Sequence, residues 1–180
     1  MEIIRKEKRL CMCCMEEHEV CQVRIAENNI FKGQTIEYIA EYDYCDKANE
    51  MVASEEQMSA NDISMKNAYR HAVGLLDSNE ICSIRQKYGI SQSDLAILLG
   101  WGEKTITRYE SHQVQDMAHN AILQKIDQDP EWYMDLLEKA KGKFSDSTYE
   151  KYCQKAKEVY EGSQDSYLRK TIHAQYVKYE

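Results

Sequence analysis

The hydrophobic period of this chain changes near residue 53, and a chain that changes period cannot fold as one uniform layer. Before that point, the run Gln34-Thr35-Ile36-Glu37-Tyr38-Ile39-Ala40-Glu41-Tyr42-Asp43-Tyr44 puts Ile36, Tyr38, Ala40, Tyr42 and Tyr44 on one face, the alternation of a half-buried strand. A second strand is expected from Val20 to Ile25, with Cys21, Val23 and Ile25 on one face. Asn28-Asn29 and Gly33 carry turn chemistry between the two, so a small antiparallel sheet is the simplest arrangement.

From residue 54 the pattern is helical. Ser54-Glu55-Glu56-Gln57 has the spacing of a capping box, and the apolar positions Met58, Ile63, Met65, Tyr69, Ala72 and Val73 follow it until Gly74. Further helices are expected over Asn79–Tyr88, Gln92–Leu99 with Ser91 as cap, Glu103–Glu110, Asp116–Ile126 and from Pro130 to Lys141. Ser147-Thr148-Tyr149-Glu150 repeats the capping signature, and a last tyrosine-rich helix is expected from Gln164 after Gly162-Ser163.

Composition narrows the function. At 180 residues the chain is short for a two-lobed cofactor enzyme, and it contains no glycine-rich phosphate loop, no Gly-x-Ser-x-Gly and no His-Glu-x-x-His. A binding module is the expectation. No apolar run approaches the length of a membrane span, and the start, Met1 to Arg9, lacks the apolar core of a signal peptide. Seven cysteines, an odd number, are better read as thiols or metal ligands than as disulfides, which fits a cytoplasmic protein. The net charge of −8 means that affinity for nucleic acid must come from a local surface, since the bulk charge repels phosphate.

Such a surface is present between Gly89 and Glu110. Two short helices are joined by a tight turn containing Gly100 and Gly102; Leu95, Ala96 and Leu99 form the inner face of the first, Ile106 and Tyr109 that of the second. Small Ala96 permits a close crossing. The second helix then presents Glu103, Lys104, Thr105, Thr107 and Arg108 away from the core, as a recognition helix presents itself to a major groove. Lys104 and Arg108 lie four residues apart, both able to reach guanine O6 and N7 or a phosphate. Ser91 and Gln92, at the start of the preceding helix, are candidates to hold a backbone phosphate together with its N-terminal amides. His112 is a candidate phosphate contact or an ordinary surface histidine.

The segments Ile90-Ser91-Gln92, Leu99-Gly100-Trp101-Gly102-Glu103-Lys104, Ile106-Thr107-Arg108-Tyr109-Glu110 and Gln115-Asp116-Met117-Ala118-His119-Asn120 resemble the Xre-type helix-turn-helix of MqsA-type (YgiT-type) zinc-finger antitoxins, over about residues 8 to 140. The resemblance implies a dimer that binds a palindromic double-stranded operator, represses its own operon and pairs with a cognate toxin. It places Lys104 and Arg108 where the family reads bases. It also implies a zinc knuckle built from two Cys-x-x-Cys pairs. Cys11 and Cys14 supply the first pair; the second offers Cys45 but has Ala48 where the fourth ligand would stand. Cys13, His18, Cys21 or an aspartate could complete a tetrahedron, or the knuckle is degenerate and folds without metal. Cys82 and Cys153 read as packing residues.

The expected protein is therefore mainly α with a small N-terminal β module and a lambda-repressor-like DNA-binding domain. Residues 1–53 would form the cysteine-bearing module, 54–76 a connecting helix, 77–140 the DNA-binding domain and 141–180 a helical extension suited to homodimer contact. Two rival functions remain: a protein-interaction module in which the β module or the C-terminal helices capture a toxin, and a metal- or redox-responsive regulator sensing through the Cys11–Cys21 cluster.

Overall fold

The computed structural model describes residues 1–176, with side chains through Gln164. The described chain is a four-stranded antiparallel sheet followed by seven α-helices. It forms two compact units, one of Met1–Ser78 with Ser111–Val114, the other of Asn79–Glu110 with the chain from Gln115 onward.

In the first unit the strands β1 (Glu2–Leu10), β2 (Glu17–Phe31), β3 (Gln34–Cys45) and β4 (Glu50–Val52) lie in sequence order. The face expected for β3 is seen: Ile36 and Ala40 are buried and Tyr38, Tyr42 and Tyr44 half-buried. Strand β2 is longer than expected. Its Asn28-Asn29 pairs with Ile36 and Glu37 inside the ladder, and the hairpin instead turns at Lys32-Gly33, where both residues have positive φ (48° and 80°), the conformation a tight two-residue hairpin requires. The expected face of β2 is the more buried one, with Val23 buried and Cys21 and Ile25 half-buried, and Val20, of the other parity, is buried as well. Strands β1 and β4 carry too little alternation to announce themselves. β1 is recruited by register, from Glu2 opposite Arg24 to Leu10 opposite Glu17.

Helix α1 (Glu55–Ala72) explains why Met58 is exposed although its spacing is apolar. β4 pairs only with Asp43–Cys45, which leaves the rest of that β3 edge with bare backbone groups. α1 satisfies them with polar side chains: Asn61 accepts from the Glu41 amide at 2.8 Å and donates to its carbonyl at 3.0 Å, and Ser64 donates to the Ile39 carbonyl at 2.8 Å. The helix therefore turns a polar stripe to the sheet, starting from the capping box of Ser54 and Gln57. Gln57 also donates to Asp43. Near the other end, Arg70 is fully buried and donates to Asn67 and to the Gln113 carbonyl, a burial no periodicity announces.

The second unit holds α2 (Ser78–Lys87), α3 (Gln92–Leu99), α4 (Thr105–Tyr109), α5 (Met117–Gln128), α6 (Pro130–Lys139) and α7 (Asp146–Tyr176). Its core is Ile81, Ile84, Tyr88, Ile90, Leu95, Ala96, Ile106, Leu123, Ile126, Tyr133 and Leu137. Tyr88 stacks on Tyr133 at 3.9 Å between ring centroids and donates its hydroxyl to the Ile126 carbonyl. Asp116 and Asp129 cap α5 and α6 through their carboxylates, and Pro130 occupies the first turn of α6 as its missing amide hydrogen allows. The C-terminal region departs from expectation. α7 is one helix running through Gly162-Ser163 without a break, and its first turn is capped by Ser145, two residues ahead of the Ser147 signature. The side chains of Tyr167, Tyr176 and Tyr179 lie outside the described residues.

Candidate functional site

The loop between β1 and β2, residues 11–16, is closed by two backbone bonds of 2.9 Å, from the Cys11 amide to the Glu16 carbonyl and from the Met15 amide to the Cys11 carbonyl. It turns with Met15 at a positive φ of 60°. This brings Cys11 and Cys14 beside the end of β3, where Cys45 is buried, and beside His18 on β2. One donor atom from each of Cys11, Cys14, His18 and Cys45 lies within 4.8 Å of all the others. Tetrahedral zinc with bonds of about 2.3 Å to sulfur and 2.0 Å to nitrogen needs donors roughly 3.5–3.8 Å apart. The Cys45 Sγ to His18 Nε2 distance is 3.6 Å.

The imidazole is oriented for such a role. His18 Nδ1 lies 2.9 Å from the Glu19 carbonyl and 3.3 Å from Asp46 Oδ1, both acceptors, which leaves Nε2 as the ring nitrogen turned to Cys45. The Ala48 amide donates to Cys45 Sγ at 3.4 Å, so the position that lacks a fourth thiol still contributes through its backbone. The Cys14 backbone amide chiefly, with help from the Cys13 amide, His18 and Cys45, holds the Cys11 thiol down to about 6 despite burial. Burial, reinforced by Glu50, pushes Cys13 the other way, up to about 11; its sulfur points to Glu50 at 3.5 Å and stands outside the four-donor group. Three soft thiols and one imidazole in a buried pocket fit zinc. The residues that would hold it are the three expected cysteines plus His18, one of several residues the sequence left open.

In the second unit, Ser91 caps α3 and Gly100 ends it in the left-handed region at φ 70°. Five residues, Gly100 to Lys104, separate α3 from α4. Ile106 and Tyr109 are buried, and Glu103, Lys104 and Arg108 are exposed, with Thr105 and Thr107 partly so. α4 is held by a network the sequence does not display. Arg85 on α2 makes a two-pronged ion pair with Glu110, at 2.7 and 3.0 Å. Glu110 also accepts from the Gln92 side-chain amide at 2.7 Å, and the Thr107 hydroxyl donates to Gln92 Oε1 at 3.0 Å. Gln92 thus joins α3 to α4 while keeping one amide hydrogen beyond its bond to Glu110. On the far side of the turn, Trp101 stacks on His119 with centroids 3.9 Å apart, and the Tyr109 hydroxyl bonds His119 Nδ1 at 2.7 Å. His112 is exposed and belongs to the first unit, paired with Ser111.

Cys82 is only partly buried, and its sulfur accepts from Arg85 and Gln86. Cys153 lines a groove with Tyr149, Glu138 and Lys157 between α6 and α7.

A family model described as the antitoxin component of a bacterial toxin-antitoxin system, MqsA, matches residues 9–139. The chain belongs to the MqsA antitoxin family. Comparison with curated proteins finds no match. The span that matches the MqsA family opens two residues before Cys11, takes in all four donors and the whole α3–α4 region, and closes at the end of α6. Among the described residues, no helix of this MqsA-family chain is long and apolar enough to cross a membrane.

The residues that sequence reasoning missed share one property. Arg85 and Glu110 are 25 positions apart, and Trp101 and His119 are 18 apart, so no local spacing links them.

Proposed function

We propose that this protein is a cytoplasmic, sequence-specific DNA-binding antitoxin that represses its own operon as a homodimer and neutralises a cognate toxin. The observation that carries this reading is the α4 surface: Lys104 at its N-cap and Arg108 within it are exposed, Ile106 and Tyr109 on the opposite face are buried, and Glu110 and Thr107 tie the helix to α2 and α3. A rigidly mounted helix with long donors on its outer face suits major-groove readout, with Lys104 and Arg108 on base edges and Glu103, Thr105 and Thr107 beside them. Ser91 and Gln92 would hold a backbone phosphate through the α3 amides and the second Gln92 amide hydrogen, and His112 is a further candidate phosphate contact.

In the same reading the Cys11, Cys14, His18 and Cys45 pocket holds zinc, which would fasten the β1–β2 loop to the end of β3. The sheet unit would receive the toxin. Exposed Met1, Ile3, Ile30 and Ile39 are apolar, and Met1, Ile39, Ile25 and Ala26 line a groove of about 740 Å³ beside α1.

Footprinting on the DNA upstream of the protein's own gene should protect two half-sites about one helical turn, roughly 34 Å, apart. Light scattering of the complex should give two protomers. Protection no better than on unrelated DNA would remove the reading.

A further inference from the structure

The stretch from Lys139 to Lys157 lies beyond the matched family span except for its first residue, and it reverses the charge of an acidic chain. Lys139, Lys141, Lys143, Lys151, Lys155 and Lys157 stand there against only Asp146 and Glu150, and all six lysines are exposed.

The contacts of this stretch with α3 run in reverse chain order. Lys143 donates to the Ile97 carbonyl at 3.1 Å, in the last turn of α3. The Tyr152 hydroxyl donates to Asp94 at 2.6 Å, in its first turn. The Lys155 stem then lies over Gly89, where a Cβ would be 3.7 Å from Lys155 Cγ. α7 is therefore antiparallel to α3 and carries Lys155 past the N-terminal end of that helix to the α2–α3 turn. Lys151 is one turn back on the same face.

The placement is fixed by packing. Tyr152 is only 4% exposed, meets the edge of Phe144, and bonds the same Asp94 carboxylate that accepts from the Ser91 cap at 2.7 Å. That carboxylate, close to any phosphate arriving at the α3 N-terminus, is thus occupied by two hydroxyls. Lys155 pairs with Glu158 at 3.0 Å with both side chains about half exposed, and Lys151 sits over the Tyr152 ring at 5.9 Å. Exposed pairs of this kind contribute little, so a phosphate can take either ammonium.

We propose that Lys151 and Lys155 form a second contact with the DNA backbone, extending the footprint of the α3 N-terminus through a helix that the family match does not reach. The proposal rests on the DNA-binding reading above. Lys139 and Lys157 lie apart from it, the first at the end of α6 and the second on the groove that faces Glu138.

The test is equilibrium binding of the full chain to duplex DNA from its own upstream region and to a scrambled duplex of equal length, across a range of salt. The double variant Lys151→Gln with Lys155→Gln should bind both duplexes more weakly by the same factor. Its plot of log affinity against log salt should be less steep by about 0.9 per lysine, near 1.8 per bound protomer. The charge-matched variant Lys139→Gln with Lys157→Gln should move the slope by less than half as much. Equal slopes in the two variants, or a wild-type slope kept by the first, would overturn the proposal alone. Arg108→Ala separates the two ideas, because it should reduce the preference for upstream over scrambled DNA and leave the lysine contribution to the slope intact. A wild-type slope near zero would remove both.

Discussion

In the sheet unit the four donors are spread over residues 11 to 45, on a loop, the strand after it and the end of a third strand, and only the β1–β2–β3 register brings them within 4.8 Å. In the helical unit the candidate base-reading pair lies four residues apart, Lys104 at the N-cap of one five-residue helix and Arg108 within it. The first site is long-range and, once metal is bound, stabilises the fold that makes it. The second is local in its reading face but long-range in its support, because α4 is too short to persist alone and depends on Arg85, Gln92 and Glu110. Loss of a zinc ligand should therefore act on the sheet unit, and loss of a support residue on the helical unit.

The largest effect is expected from the metal. Structural zinc contributes on the order of 10 kcal/mol in small zinc-binding peptides. Protein purified without chelator should contain close to one equivalent of zinc, and Cys45→Ser should lose it. By amide hydrogen exchange, chelation should open peptides from residues 11–52 by orders of magnitude and leave those of α2 to α6 nearly unchanged. Metal-free protein with full protection of residues 11–52 would show that the thiols serve only as packing.

Next in size is Glu110→Ala. It takes the carboxylate partner from the Arg85 guanidinium, whose side chain is 18% exposed, and removes the acceptor of the Gln92 amide. The expected loss is about 2–3 kcal/mol, below the range for a wholly buried pair because water can reach Arg85. Urea denaturation measures it, and zinc content should not change. A loss under about 0.5 kcal/mol would mean that α4 is held by Ile106 and Tyr109 alone.

Tyr152→Phe removes one hydrogen bond to the Asp94 carboxylate while keeping the ring against Phe144, so about 1.5 kcal/mol is expected, seen first as faster exchange in the opening turn of α3. The smallest effect should come from Ser54→Ala, about 1 kcal/mol, because the capping box loses its serine acceptor while Gln57 keeps its bond to Asp43. Its exchange signature belongs to α1 in the sheet unit. A response in α3 instead would contradict the division between the two units.

How much of this was legible follows the same division. The α3–α4 pair was readable because caps, glycine turn and buried spacing sit within 22 consecutive residues, from Gly89 to Glu110. Cys11, Cys14 and Cys45 were readable by type, but His18 as fourth donor was not singled out, since it depends on where β2 passes the end of β3. β1 was missed because its partner is chosen by register rather than by its own alternation; of the two turn signals between β2 and β3, Gly33 marks the turn, and Asn28-Asn29 lies inside the ladder. The Gly162-Ser163 break failed for the opposite reason: a helix as long as α7, about 46 Å at 1.5 Å per residue, can absorb one glycine at a cost near 1 kcal/mol. The polar inner stripe of α1 defeated an apolar-face reading altogether, because an open strand edge asks for hydrogen bonds before it asks for methyl groups.

If α4 reads DNA sequence through its exposed face, removing one of its long donors should change which bases are preferred. The direct test is binding of wild type and Arg108→Ala to the upstream operator and to each of its single-base-pair substitutions at one fixed salt concentration. Wild type should lose about 1–3 kcal/mol at specific positions in each half-site, and Arg108→Ala should weaken the operator by a similar amount per half-site while becoming indifferent to one or two of those positions. An Arg108→Ala protein that keeps both its affinity and its full pattern of base preferences would contradict sequence reading by α4.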